Sequence, residues 1–158
     1  MSENTLEQIR VYLRNAEITF REVEHEPTRT SEESAAARGE ALSVGAKALL
    51  LRTDGLFRLF VLPADRRLDS NAIRRRFGVR KTRFASAQEL YELTGLVPGA
   101  VPPFGRPILP FELYADSALG VDSDKVAFNA GSLTNSIIMA ASDWVAIASP
   151  VRFHFSKE

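Results

Sequence analysis

Two apolar segments joined by a short polar turn constrain the fold of this chain more than any other feature. Ala46–Arg52 and Phe57–Leu62 each have the length and the apolar composition of a strand. Thr53-Asp54-Gly55 lies between them, and its Asp-Gly pair favours a tight hairpin turn. The sequence therefore predicts a β-hairpin between residues 46 and 62.

Capping signals and apolar spacing predict five helices around this hairpin. Leu6, Ile9 and Leu13 share one face of a helix expected over Thr5–Asn15. Capping boxes, in which a hydroxyl residue is followed three positions later by Glu, predict two more helix starts. The four later helices are expected from Thr30 to Arg38, from Asp69-Ser70 to Phe77, from Ser86 towards Gly95, and from Ser142-Asp143 to Ile147.

Further strands are expected on both sides of the hairpin. Pro110 places one of them at a sheet edge, because proline has no backbone donor. Hairpins mixed with short helices predict one α+β domain with a largely antiparallel or mixed sheet. The expected segments are 18–23, 83–84, 108–114, 126–129, 136–139 and 151–155.

The composition excludes several classes of protein. The chain has 158 residues, which suits a single domain over 1–158. Its 20 basic and 20 acidic side chains cancel, so no overall field draws it to DNA or a membrane. It has no cysteine and only two histidines, which argues against disulfides, a thiol nucleophile and a metal site. Without a signal-peptide pattern or a membrane-length apolar run, a cytoplasmic protein is expected.

A rigid apolar loop is expected over Leu93–Gly105. This segment has three glycines, three prolines and no charged residue. Proline fixes φ and glycine permits close approach, so the few remaining N–H groups point in fixed directions and could hold a carbonyl or an oxyanion. A buried crossover between strands explains the composition equally well.

Three polar features are candidates for a functional site. Lys47 begins an otherwise apolar strand, where its ammonium group either faces a cleft or reaches solvent at the strand end. His25 is followed by Thr28 and Thr30; a histidine near hydroxyls suggests general-base work, and capping of the next helix by the hydroxyls is the alternative. Asn129–Ser136 is rich in small and amide side chains, which suits a ligand-binding turn or a plain β-turn.

One segment of the chain is densely basic. A solvated helix face and a contact surface for an RNA backbone both explain it. Its residues are Arg66, Arg67, Arg74, Arg75, Arg76, Arg80, Lys81 and Arg83.

In this order along the chain, the features resemble the YbaK family, which includes the editing domain inserted in bacterial prolyl-tRNA synthetases. No single motif is specific, but the ordered set is, and it covers about 18–147. The residues that carry the resemblance are Glu24-His25-Glu26-Pro27, Lys47 before Ala48-Leu49-Leu50-Leu51, Thr94-Gly95 entering the Gly/Pro loop, and Asn129-Ala130-Gly131.

The resemblance implies both a fold and an activity. The fold is a compact α+β domain around a twisted, barrel-like mixed β-sheet with flanking helices. The activity is hydrolysis of the ester that joins a wrong, small amino acid to tRNA, by a free-standing enzyme acting in trans. The implied partners are the tRNA acceptor end and, as a further candidate, an aminoacyl-tRNA synthetase. Such an ester is already activated, so no cofactor or metal is expected.

The resemblance also implies site residues. Lys47 is expected to position the tRNA 3′ end, while the backbone of Gly99 and Ala100 donates to the substrate carbonyl. The expected tRNA-binding residues are Arg74, Arg75, Arg76, Arg80 and Lys81. The expected substrate-binding residues are His25, Thr28, Thr30, Pro98, Val101, Pro102, Asn129, Gly131, Ser132 and Ser136.

The chain departs from its relatives at positions that bear on specificity. Val23 stands where the cysteine-clearing branch has an aromatic residue, Asn129 where it has a serine, and Ser136 where it has an acidic residue. The alanine-clearing branch has a histidine near Asn129, and this chain has none there. The sequence therefore leaves the amino acid open, and a non-catalytic module that binds tRNA or a synthetase is the alternative function.

Overall fold

The computed structural model describes residues 2–158, with side chains from residue 5 onwards. The helices are α1 (Ser2–Asn15), α2 (Ser31–Arg38), α3 (Ser70–Phe77), α4 (Ala87–Thr94) and α5 (Ala141–Ala148), with a 3₁₀ turn at Leu42–Val44. The strands are β1 (Phe20–Glu24), β2 (Ala46–Thr53), β3 (Leu56–Pro63), β4 (Arg67–Leu68), β5 (Thr82–Phe84), β6 (Leu113–Asp116), β7 (Lys125–Asn129), β8 (Asn135–Ala140), β9 (Val151–Phe153) and β10 (Ser156–Lys157).

The described strands form three sheets. The largest has the order β5-β2-β3-β6-β9 and is mixed, because β3, β6 and β9 run parallel while β2 is antiparallel to both neighbours. A second, antiparallel sheet has the order β1-β8-β7, and β10 pairs with β4. The predicted α+β domain with a mixed sheet is confirmed, although these sheets keep free edges and do not close into one barrel.

The predicted hairpin forms the centre of the large sheet. Residues 46–53 of β2 pair with residues 56–63 of β3, and the turn residues Asp54 and Gly55 have positive φ values of 50° and 80°. Positive φ at both central residues is the geometry that an Asp-Gly pair favours. One face of the hairpin packs into the larger core with Trp144 and Phe128, and the other packs against Phe155 and Tyr114.

Two helix starts are capped as the sequence predicts. Thr30 and Ser86 each accept from the backbone N–H three residues on, while the glutamate at that position bonds back to the cap. α2 ends at Gly39 in the left-handed conformation. This ending matters for the site, because it places Arg38 in the last turn of the helix and directs the chain towards β2.

The strand predicted over Ile108–Tyr114 is wrong in most of its length. The structure has a strand only at Leu113–Asp116, and it lies inside the sheet between β3 and β9. Before it, the N–H groups of Ile108 and Leu109 both donate to the carbonyl of Gly105, so this backbone forms turns. The apolar side chains are buried there without a strand partner, which residue spacing alone does not distinguish from β-structure.

Two predictions for the last third of the chain need smaller corrections. α5 begins after Ala140 without a side-chain cap, so Ser142-Asp143 lies inside the helix and does not start it. The strand predicted over Val151–Phe155 is shorter, since β9 ends at Phe153, and a separate strand that the sequence does not predict, β10, follows at Ser156–Lys157 and joins a different sheet. Of the helices in the described part of the chain, none combines the length and the hydropathy of a membrane span.

A buried carboxylate fastens the C-terminal strands to the large sheet. Asp116 has no exposed surface, and it accepts from the Phe155 N–H at 2.7 Å, the Ser156 hydroxyl at 2.7 Å and the Ala118 N–H at 3.0 Å. Ionised acceptors make stronger bonds than neutral ones. These bonds therefore hold the segment that leads into β10.

We expect Asp116→Asn to lower the free energy of unfolding by about 1–3 kcal/mol, because an amide N–H₂ would face a donor and leave it unpaired in the interior. Urea denaturation measures the loss. Asp54→Asn is the matched control, since Asp54 is exposed in a left-handed turn position that asparagine also adopts. Equal midpoints for the two variants would contradict a structural role for the buried carboxylate.

Candidate active site

A cavity of about 190 Å³ lies where the start of β2 meets α2, the Gly/Pro loop and the end of β7. Several of the predicted residues line it together, although they are far apart in sequence. These are Lys47, Gly99, Val101, Thr28, Thr30 and Asn129. The same wall includes Ser34, Arg29 and Arg38, which the sequence analysis does not select.

Lys47 supplies a half-buried cation to this cavity. Its ammonium group makes no hydrogen bond or ion pair with any residue of the described range 5–158. Burial lowers the pKa of Lys47 from its usual value, and the more distant charges of Glu32 and Asp65 only partly oppose this shift. Burial disfavours the charged form of the lysine, and a nearby opposite charge favours it. An anionic group placed beside Lys47 would therefore be attracted to the ammonium group and would stabilise its charge.

The Gly/Pro loop offers two backbone donors at the cavity. Gly99 and Val101 both line it, and neither N–H has an acceptor among the described residues. Ala100 differs from the expectation, because its N–H already donates to the carbonyl of Val97 at 3.1 Å. Gly99 has φ = 90°, where a side chain is strained, so glycine is needed for this path of the loop. The lining N–H groups of the loop that have no acceptor among the described residues are therefore those on either side of Ala100.

A network of buried polar side chains connects Asn129 to the loop. The Asn129 amide donates through Nδ2 to the carbonyl of Gly99 at 2.8 Å and to the hydroxyl of Thr28 at 3.4 Å. Thr28 also shares a 2.8 Å hydrogen bond with Ser34. On its other side, Asn129 Oδ1 lies 2.9 Å from the Ser136 hydroxyl. Asn129 therefore ties the end of β7 to the Gly/Pro loop.

Arg38 completes this network, and sequence analysis misses it. Its guanidinium group donates through Nε to Ser136 at 2.9 Å and through Nη2 to Asn129 Oδ1 at 3.2 Å. Only 8% of the residue is exposed, and burial lowers its pKa to about 10, which leaves it charged at neutral pH. An arginine ending an Ala-rich helix looks like a solvated residue in the sequence, so no local signal could have found it.

His25 lies at the outer end of the same network. Its Nε2 is 2.8 Å from the Ser136 hydroxyl, and its Nδ1 is 2.8 Å from the carbonyl of Glu26. A carbonyl only accepts, so Nδ1 carries the proton in that bond and the ring is oriented by the backbone. His25 does not line the cavity, and its contacts make it a support for Ser136.

Four other predicted residues lie away from the cavity wall. Gly131 packs against the side chain of Thr5, which a Cβ atom would approach to 2.8 Å. Ser132 bonds within its own turn, to Thr134 and Asn135. Pro98 is exposed and Pro102 is buried, and neither contributes to the cavity lining. These positions shape the turn and the loop that carry the lining residues.

The basic segment forms a separate, open groove of about 780 Å³. Arg74, Arg80 and Lys81 line it together with Arg52 and Arg83. Arg75 and Arg76 are exposed on the same helix, and Arg76 lies over the ring of Phe153 at 5.0 Å. The predicted tRNA-binding residues are therefore clustered in space, although Lys47 and Arg52 lie at different ends of β2.

In the described part of the chain, no three His, Asp or Glu side chains are placed to hold a metal ion together. The cavity instead combines the cations Arg29, Arg38 and Lys47, which differ in burial, with neutral hydroxyl, amide and backbone groups. Such a site is suited to binding a carbonyl or phosphate oxygen and to stabilising negative charge that develops on it.

Comparison with known proteins identifies the family. Residues 25–147 match the model of the aminoacyl-tRNA editing domain, and these residues include the whole cavity wall. The chain therefore belongs to the aminoacyl-tRNA editing domain family. The family predicted from the ordered motifs is confirmed, and with it the activity class, an aminoacyl-tRNA deacylase.

Individual relatives agree with this assignment. The chain is 38% identical over 143 residues to the multifunctional Ser/Thr-tRNA deacylase ProXp-y of Escherichia coli K12, covering 87% of this chain and 84% of that protein. It is 33% identical over 100 residues to a proline–tRNA ligase of Bacillus licheniformis, covering 63% of this chain and 17% of the ligase. A crystal structure of a candidate trans-editing enzyme for prolyl tRNA synthetase matches 98% of both chains with a TM-score of 0.82, and at 24% identity it supports the fold.

Thr30 has two candidate roles that mutation separates. It lines the cavity, yet its hydroxyl already accepts the Glu33 N–H at 3.1 Å as the cap of α2. We expect Thr30→Ala to lower the free energy of unfolding by about 0.5–2 kcal/mol, and Thr30→Asn to retain the stability, because asparagine is also a good cap. Chemical denaturation and the KM for charged tRNA measure the two roles. A raised KM in the stable Thr30→Asn variant would assign substrate binding to the threonine itself.

Proposed function

We propose that the protein is a free-standing, trans-editing deacylase that hydrolyses the ester of tRNA mischarged with serine or threonine. The observation that carries the proposal is a single cavity lined both by the half-buried Lys47 and by Gly99 and Val101, whose N–H groups have no acceptor among the described residues. The Ser/Thr-tRNA deacylase of Escherichia coli supports the choice of amino acid, since it is similar over most of both chains.

The arrangement suits hydrolysis by an activated water molecule. Water attacks the ester carbonyl carbon, the carbon–oxygen bond to the terminal ribose breaks, and the ribose oxygen takes up a proton. The carbonyl oxygen becomes negative in between, and N–H groups of the Gly/Pro loop would hold it. One preorganised donor of this kind contributes about 2.7–4 kcal/mol to transition-state stabilisation. Lys47, in its implied role, binds the negatively charged 3′ end of the tRNA.

The size and polarity of the cavity support a small, hydroxyl-bearing amino acid. Its volume of about 190 Å³ is below the roughly 300–1,000 Å³ of pockets that enclose a drug-sized ligand. The hydroxyls of Thr28 and Ser34 lie in its wall and are buried. A site built to hydrogen-bond a substrate hydroxyl discriminates strongly against an analogue without it, whereas one methylene changes binding by only about 1–3 kcal/mol.

The direct test is loss of the ester from a panel of charged tRNAs that includes Ser-, Thr-, Ala- and Cys-tRNA. We expect the wild type to release serine or threonine with multiple turnover, and Lys47→Ala to lower kcat/KM on the order of 10²-fold, since misplacing a substrate by about 1 Å has such an effect. Lys125→Ala is the matched control, because Lys125 is exposed and pairs with Glu40. If none of the charged tRNAs loses its amino acid faster with the protein than in buffer, the proposal is wrong.

The alternative is a non-catalytic module that binds tRNA or a synthetase. It is favoured by one observation, that Asn129 and Ser136 bond to Arg38 and to each other at positions where the cysteine-clearing branch differs. Saturable binding of charged tRNA without turnover would support this alternative. Multiple turnover by the purified protein would exclude it.

We also propose that the basic groove contacts the phosphate backbone of the tRNA. Its lining holds five basic side chains, and among residues 5–158, whose side chains the structure describes, only Arg83 of these five is paired with a carboxylate, that of Glu89. A synthetase is a further candidate partner, because part of the chain is similar to a proline–tRNA ligase. Both partners belong to translation, so we place the protein in the cytoplasm.

Replacing Arg74, Arg75 and Arg76 together with alanine should weaken tRNA binding and reduce its dependence on salt. Each lost phosphate contact lowers the slope of log K against log salt by about 0.7–0.9, because fewer counterions are released. Filter binding at several salt concentrations measures the slope. An unchanged slope would show that these side chains are only solvated. The Lys47→Ala variant controls for loss of the acceptor end and should keep the wild-type slope to within about one contact.

A further inference from the structure

Arg38 is a buried cation with no anionic partner. It bonds only to neutral acceptors, and no carboxylate of the described residues forms an ion pair with it. Its position in the last turn of α2 gives some compensation, since a helix C-terminus favours positive charge. Burying a charge without a partner nevertheless costs stability. The arrangement therefore calls for a role other than stabilising the fold.

The guanidinium group determines which way the Asn129 amide faces. Arginine can only donate hydrogen bonds, so the atom of Asn129 that faces Arg38 must be the oxygen. With Oδ1 turned to Arg38, Nδ2 is turned to the carbonyl of Gly99 and donates to it at 2.8 Å. A reversed amide would place its oxygen against that carbonyl oxygen. Arg38 thus selects the orientation in which Asn129 can hold the loop.

The bond from Asn129 in turn fixes one peptide of the Gly/Pro loop. A trans peptide is planar, so its C=O and the following N–H point in opposite directions. The Gly99 carbonyl points to Asn129, and the Ala100 N–H of the same peptide donates to Val97 at 3.1 Å. Turning this peptide over would break both bonds. The two N–H groups that have no acceptor among the described residues belong to the peptides directly before and after this one, so where they lie depends on how this peptide is oriented.

We propose that Arg38 is a positioning residue for deacylation: through Asn129 it fixes the Gly99 carbonyl, and so sets the orientation of the loop that receives the substrate carbonyl. This inference rests on the proposed function. Arg38 acts on the reaction only through Asn129, so its loss should affect the chemical step more than substrate binding. The same contacts predict an observable in the protein without substrate: the Ala100 amide should be protected from hydrogen exchange.

Two variants separate positioning from folding. Arg38→Met removes the donors but fills similar volume with an apolar side chain. Asn129→Asp keeps the size of residue 129 and gives Arg38 an anionic partner, but it presents an unprotonated oxygen to the Gly99 carbonyl. We expect both variants to lower kcat on the order of 10²-fold, with KM for charged tRNA changed by less than about threefold. Asn129→Asp should unfold at the same or a higher temperature than the wild type.

Hydrogen exchange tests the positioning without reference to activity. In the wild type the Ala100 amide should be protected by its bond to Val97, and in both variants it should exchange on the order of tenfold faster or more. Arg10→Met is the matched control, because Arg10 is a partly buried arginine bonded to Glu22 on another surface. It should lose stability while keeping wild-type kcat and Ala100 protection.

The outcomes distinguish this inference from the proposed function. If the wild type hydrolyses esters and Arg38→Met keeps kcat and Ala100 protection, the positioning role is wrong while the function stands. A loss of kcat that only parallels unfolding, as in a destabilised control, also overturns it. If the wild type hydrolyses no ester, the proposed function fails, and the exchange of Ala100 still decides whether Arg38 orders the loop.

Discussion

The pairing of β2 with β3 is the interaction on which the rest of the structure depends. The hairpin continues for eight residue pairs, and both of its faces are buried. Leu50, Leu59 and Val61 pack into the larger core, while Leu51, Phe60 and Leu62 pack into the second. A strand that is buried on both faces has no polar alternation, which explains its nearly continuous apolar sequence. The same double burial leaves few places where a charged side chain can lie.

Lys47 occupies one such place, at the end of the hairpin where the two larger sheets meet. Gly45, just before β2, forms a bridge with Ala127 of β7, and a Cβ atom at Gly45 would come within 2.9 Å of Ala64. The bridge between Gly45 and Ala127 brings the end of β7, with Asn129, to the same cavity as the start of β2. The position of the cavity is thus a consequence of how the hairpin joins the second sheet.

The sequence predicts local features well and tertiary relations poorly. The hairpin, the capped starts of α2 and α4, and the strands around Asn129 follow from turn and capping chemistry between neighbours. The strand at Ile108–Tyr114 fails because apolar residues buried in turns resemble a strand when only their spacing is known. Arg38 is missed because its partners lie 91 and 98 residues away, and nothing near it marks its side chain as buried. Lys47 and the Gly/Pro loop are recognisable in the sequence, because a lysine at the start of an apolar strand and a loop of glycine and proline without charges are both unusual.

The charges around the cavity determine what kind of catalysis it can support. Arg29, Arg38 and Lys47 contribute three cations, and the described residues that line the cavity include no carboxylate and no histidine. The wall therefore offers no carboxylate or imidazole as a general base, and the site favours oxygen atoms that carry or gain negative charge. An activated ester tolerates that arrangement, because water attacks it without a strong base. Catalysis then depends on the orientation of donors, and a loop whose peptides are locked by a buried network supplies that orientation before the substrate arrives.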